Sequence, residues 1–173
     1  MIFRKAVIGD IDAIEKIYSD THTLEESGKV TIGWVREIYP TRETAVAALD
    51  RGDLFVGVDD EKIVGTAVIN QVQVKEYYDG NWEFPADDSE VMVLHALVIS
   101  PDEAGRGLGK AFVAFYEEYA LLHGCHYLRM DTNEKNMRAR ALYKKLGFSE
   151  RGNIPCTFNG IEGVQLILLE KKI

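Results

Sequence analysis

The sequence predicts a three-layer α/β domain built on a partly antiparallel sheet. Strand-like and helix-like segments alternate along the chain, and a hairpin signal stands at Asp59-Asp60-Glu61-Lys62 between two β-branched runs. The apolar runs Val91–Ile99 and Tyr127–Asp131 read as strands covered on both faces.

Each element has its own justification. Phe3–Ile8 reads as a first strand, and Asp10 as the N-cap of a helix with Ile11, Ile14, Ile17 and Tyr18 on one face. Val30–Tyr39 is ambiguous, with helix favoured. Thr41 caps a further helix that Gly52 ends. Leu54–Val58 and Ile63–Asn70 form the hairpin arms. Lys75–Glu90 is irregular and mixes aromatic with acidic residues. Leu108, Phe112, Phe115, Tyr119 and Leu122 recur at helical steps. Asn136 can cap a helix running to Leu146, which Gly147-Phe148 terminates. Two strands close the chain, around Ser149–Phe158 and Val164–Glu170. With 173 residues, no repeat and no linker, residues 1–173 are read as a single domain.

Composition narrows the function. At 46% hydrophobic and 28% charged residues, disorder and fibrous classes are excluded. Two cysteines, Cys125 and Cys156, are too few for a disulfide scaffold or a zinc site, so no metal is expected. No apolar run reaches the ~18 residues of a membrane span, and Met1–Lys5 lacks a signal-peptide core, so a cytoplasmic protein with no membrane partner is expected. The net charge of -8 argues against nucleic acid and favours cations such as protonated amines.

The segment Ala104-Gly105-Arg106-Gly107-Leu108-Gly109-Lys110 lies between a buried strand and an amphipathic helix. Glycines let backbone amides turn toward an anion, and a helix N-terminus adds partial positive charge. The spacing fits neither a P-loop, for which Ala104 and Ala111 are wrong, nor a dinucleotide fingerprint, whose third glycine falls one place later.

That spacing, Ala104-x-x-Gly107-x-Gly109 after Leu97-Val98-Ile99-Ser100-Pro101, resembles the pyrophosphate loop of the GNAT superfamily of acetyl-CoA-dependent N-acetyltransferases. Ala104 departs from the Gln or Arg favoured there, a loss for which Arg106 could compensate. A second match follows: Asn136-x-x-Ala139-x-x-x-Tyr143-x-x-x-Gly147-Phe148 carries every fixed position of the family's N-x-x-A-x-x-x-Y-x-x-x-G-F. The resemblance implies a GNAT-like α/β/α domain with a central mixed, mostly antiparallel sheet. It also implies acetyl-CoA as cosubstrate and a small-molecule or peptide primary amine as acceptor.

Roles follow from the same resemblance. Backbone groups of Leu97, Val98 and Ile99 would line the acetyl-pantetheine, with the Val98 amide polarising the thioester. Amides of Gly105, Arg106, Gly107, Leu108, Gly109 and Lys110 would hold the pyrophosphate. Asn136 would bond the pantetheine arm or simply cap its helix, and Tyr143 would face the sulfur or simply pack. The base is open. His95, placed on the alternating face of Leu97 and Ile99, is either a desolvated base or a satisfied core histidine, and Glu90 and Asp88 come next. Lys75–Glu90 is either an acceptor lid or a subunit contact in a homodimer. As a lid, its acids and aromatics suit an amine with a second positive or apolar part. Transfer of another acyl group, a protein amine as acceptor and non-catalytic acyl-CoA sensing stay open alternatives.

Overall fold

A computed structural model describes residues 1–173. The strands are β1 (Ile2–Lys5), β2 (Leu54–Asp59), β3 (Lys62–Asn70), β4 (Val91–Ile99), β5 (Tyr127–Asn133), β6 (Ser149–Phe158) and β7 (Ile161–Lys172). The helices are α1 (Ile11–Glu26), α2 (Arg42–Arg51), α3 (Leu108–Leu122) and α4 (Met137–Lys145). One seven-stranded sheet runs in the order β1-β2-β3-β4-β5-β7-β6, and only the β4–β5 pair is parallel. No helix is long and apolar enough to cross a membrane.

Alternation along the strands gives each face its own core. Ile11, Ile14, Ile17 and Tyr18 of α1, with Ala45 and Ala48 of α2, bury against Leu54, Val56, Val68 and Val98. On the other face, Phe112, Val113 and Tyr116 of α3 pack with Tyr143 of α4 over Phe55, Met92, Leu94 and Met130. A third cluster joins Tyr77 to Val91, Val93, Val164, Leu166 and Leu168. There the Lys75–Glu90 segment, two short 3-10 turns around an irregular stretch, covers sheet that no helix covers.

Most predicted elements are present, with four differences. The first strand stops at Lys5, and Asp10 stands at the N-cap of α1 but its side chain makes no cap bond there. Its carboxylate instead takes Arg4 Nη1 at 2.6 Å and the Val7 amide at 2.8 Å. Val30–Tyr39 is not a helix: Gly33 is left-handed (φ 87), and Glu25 of α1 binds the amides of Ile32 (2.6 Å) and Gly33 (3.0 Å), pinning the chain as an extended strap. Arg36 ties the same strap to Glu26 at 2.7 Å. On α3 the buried face is Leu108, Phe112, Val113, Tyr116 and Ala120. Leu122, at the frayed end, is 83% exposed.

The topology's decisive feature is a fork. β4 and β5 pair only from Val91↔Tyr127 to Leu94↔Met130, although β4 stays with β3 to Ile99 and β5 with β7 to Asn133. A β-bulge in β4, with Ala96 at φ 49, marks the parting. Just below it the buried Tyr116 hydroxyl sits 2.6 Å from the Met92 carbonyl and 3.2 Å from that of Arg129, one on each strand. Tyr116→Phe removes that donor and keeps the ring. It should cost about 1–2 kcal/mol in denaturant unfolding with the far-UV spectrum preserved. An unchanged unfolding midpoint would show that the hydroxyl holds nothing together.

Candidate active site

Beyond the fork the two strands enclose a cavity of about 1190 Å³. Its walls come from the ends of β4 and β5, the N-termini of α3 and α4, the strap 29–34 and the tip of the β6–β7 hairpin. No cluster of three metal-ligating side chains occurs in the chain.

The glycine segment forms one end. Gly105 (φ 84) and Gly107 (φ 77) are left-handed, with nothing within 4 Å of where a Cβ would stand, and Gly107 is the N-cap of α3. The loop therefore bares amides at the positive end of a fifteen-residue helix. Ala104, Gly105, Gly107, Leu108, Gly109 and Lys110 all line the cavity. Arg106 does not. Its guanidinium points outward to Asp59 at 2.6 Å and to Glu103, so it cannot replace the missing contact of Ala104. Lys110, Lys135 and Arg138 line the cavity instead, and none has a carboxylate partner.

The backbone of β4 settles which amides reach the cleft. The Ser100 amide bonds the Val64 carbonyl of β3 at 2.8 Å, so alternation sends the Val98 amide to its partner Thr66 as well. The edges of Leu97 and Ile99 then face the cleft, where no strand pairs with them. Leu97, not Val98, is placed to offer an amide there.

The bulge also overturns the expectation for His95. One extra residue at Ala96 flips the alternation, so His95 pairs with Val68 on the α1/α2 face while Leu97 and Ile99 pack with the α3/α4 core. Its Nε2 lies 3.1 Å from Asn70 Oδ1, and Asn70 in turn donates to Asp53 at 2.8 Å. Burial pushes its pKa to about 4, so at neutral pH His95 is an uncharged cavity-wall group.

Glu90 and Asp88 lie outside the cleft. They stand at the far end of nine-residue β4, roughly 25 Å of strand from Ile99. Glu90 accepts the Asp87 amide at 3.2 Å and borders a separate small pocket, while Asp88 takes Gln73 Nε2 at 2.5 Å. The rest of Lys75–Glu90 covers the sheet, so its acids supply no acceptor lid.

A carboxylate without a basic partner that does reach the cleft is Asp131 of β5, which sequence reading passed over as a strand end. Burial lifts its pKa to about 7, helped by the charge of Glu76 and opposed by the Tyr77 hydroxyl, which donates to it at 2.9 Å. Its sequence signal was a lone acid closing an apolar strand five places before Asn136. Tyr143 of α4 is buried, its phenol held above its ordinary pKa by burial and by the charge of Asp131, and it lines the same cavity. Asn136 caps α4, its Oδ1 accepting the Ala139 amide at 3.1 Å, and the residue borders the cleft.

Comparisons agree with this architecture. The profile of the acetyltransferase (GNAT) family matches residues 11–148, and the chain belongs to that family. An uncharacterised N-acetyltransferase of Methanocaldococcus jannaschii is 34% identical over 73 residues, 42% of this chain and 32% of that protein, so the chain matches about a third of that relative's length. Among solved structures, a GNAT-family acetyltransferase from Streptococcus agalactiae superposes with a TM-score of 0.77 at 23% identity, covering 99% of this chain and 95% of that one. The protein yncA from Salmonella typhimurium, solved with its cofactor acetyl-CoA, gives 0.70 at 17% identity over 99% and 93% of the two chains.

The raised pKa of Asp131 has a thermodynamic sign. The folded state holds this proton up to about pH 7 while the unfolded chain releases it near 3.8, so the group erodes stability as pH rises from about 4 to 7. Asp131→Asn lacks that loss. Its unfolding free energy relative to the parent should climb between pH 5 and pH 8 by more than ~1 kcal/mol, each pKa unit being worth about 1.4. A flat difference across that range would mean that Asp131 titrates normally.

Proposed function

We propose that this chain transfers an acetyl group from acetyl-CoA to a primary amine by direct attack. The observation that carries the reading is the fork, which gathers bare amides, Asp131 and Tyr143 around one cavity. The cavity fits the cosubstrate. The open cradle at Gly105 and Gly107 accepts a pyrophosphate, the unpartnered cations Lys110, Lys135 and Arg138 suit further phosphate charge, and the free edges of Leu97 and Ile99 suit an amide-bearing arm.

The chain's residues then divide the work. When bound, acetyl-CoA supplies an activated acyl carbon. Asp131 holds the acceptor ammonium and takes one proton from it, a transfer favoured by its carboxylate pKa near 7 rather than 3.8. The amine nitrogen forms its bond to the acyl carbon while the Leu97 amide donates to the carbonyl oxygen, where negative charge develops. As the carbon–sulfur bond breaks, the Tyr143 hydroxyl gives its proton to the departing sulfur, and the second proton shed by the nitrogen as the amide forms restores the phenol. A raised phenol pKa keeps that proton in place until charge appears. His95, neutral and bonded to Asn70, shapes the acceptor wall without moving protons.

Three variants test this. Asp131→Asn should lower kcat/KM for the amine by about 10²–10⁴-fold and remove the acidic limb near pH 7 from its pH profile. Tyr143→Phe should lower kcat by a similar factor with the acetyl-CoA KM unchanged, and turnover within threefold of the parent would leave Tyr143 as packing alone. Gly107→Asp places a carboxylate in the cradle and should abolish thermal stabilisation by acetyl-CoA, about 2.7 kcal/mol in the parent at a hundredfold excess over Kd. A folded Gly107→Asp protein with the full shift would displace the pyrophosphate from this loop.

A further inference from the structure

The acceptor half of the cavity has a composition of its own. Leu24, Ile32, Trp34, Tyr39, Phe158 and Leu166 form a largely apolar wall, with the Trp34 and Tyr39 rings edge to face at 6.1 Å. Only two carboxylates border the whole cavity, Asp131 and Glu103. Glu103 stands at the glycine-loop end and is already paired with Lys62 at 2.7 Å and with Arg106. The other charged wall residues are cations: Lys29, Arg51, Lys110, Lys135 and Arg138. One positive charge can be matched by a free carboxylate in this cleft, and a second would meet hydrocarbon, neutral polar groups or like charge.

The strap closes the approach. It leaves α1, borders the cavity and touches β5, where a Cβ on Gly33 would run into the Asn133 side chain. It continues to the β6–β7 tip, where a Cβ on Gly160 would meet Ile38 Cγ2 at 3.2 Å. His22 Nε2 holds the strap's far end through the Pro40 carbonyl at 2.9 Å. A bridge across the approach favours a slender free amine over a lysine carried on a folded protein surface.

We infer that the acceptor is a small primary monoamine with an apolar, aromatic-bearing body and no second positive charge. The inference rests on the acetyl-transfer reading above. Asp131 takes the ammonium, and the faces of Tyr39 and Trp34 take both the body and part of the cationic charge. Tyr39 and Asp131 line the same cavity; burial chiefly raises the Tyr39 phenol, with the charges of Tyr18 and Asp131 adding to it. Of the two kinds of acceptor that the sequence left open, with a second positive part or with an apolar one, the cleft favours the apolar.

The test measures thiol release from acetyl-CoA with 2-phenylethylamine, spermidine and a peptide carrying an internal lysine. The expected result is a kcat/KM for phenylethylamine at least tenfold above either of the others. In Trp34→Ala the phenylethylamine KM should rise about tenfold with the acetyl-CoA KM unchanged, and Trp34→Phe should restore most of it. Spermidine or the peptide turned over as well as phenylethylamine overturns the acceptor class and leaves acetyl transfer standing. No thiol release from any of the three, with acetyl-CoA still bound in a thermal shift, overturns both. A Trp34→Ala enzyme with an unaltered phenylethylamine KM removes the strap from the acceptor site.

Discussion

The parting of β4 from β5 is the constraint on which the rest of the molecule depends. A parallel pair that stayed zipped to Ile99 and Asn133 would satisfy its own backbone and leave no cavity. Instead each strand keeps its outer neighbour, β3 or β7, and gives up its inner one. The unpaired edges are hydrogen-bonding surface in search of a partner, which the fold would bury at a cost of ~1–3 kcal/mol per group if nothing filled the gap. The site is thus less an addition to the sheet than an interruption of it.

Charge is arranged in the same spirit. A chain of net charge -8 presents an acidic exterior, yet the cleft wall carries more cations than carboxylates. Arg106 shows how position outweighs residue type. Within the glycine segment it is the obvious anion ligand, but its side chain leaves the loop outward and finds Asp59 and Glu103. Under the proposed reading, anion recognition falls to backbone amides and to Lys110 and Arg138 on the first turns of α3 and α4, where the helix dipoles add to their field.

Much of this was legible in the sequence because it depends on spacing. The glycine segment, the Asn136–Phe148 motif, the hairpins and the buried strands are local patterns, and the structure places them where the pattern says. What was not legible is long-range or conformational. Ala96 adopts φ 49, a geometry that alanine does not advertise, and that one bulge moved His95 to the opposite face and fixed which amides open to the cleft. Asp131 looked like the end of a strand because its importance comes from Tyr77 and Tyr143, neighbours 54 and 12 residues away in the chain. Val30–Tyr39 has helical composition in part, but Glu25 and Gly33 decide its path. Glu90 seemed close to the site because it precedes β4, while the site lies where β4 ends.

The cleft takes its wall from both faces of the sheet. Its wall draws on Leu97, Ile99 and Tyr143, which pack with the α3/α4 core, and on Val68 and Val98, which belong to the core under α1 and α2. The cavity is therefore bounded by both cores at once, so a substitution that loosens the packing under α1 and α2 reaches its wall as directly as one under α3 and α4.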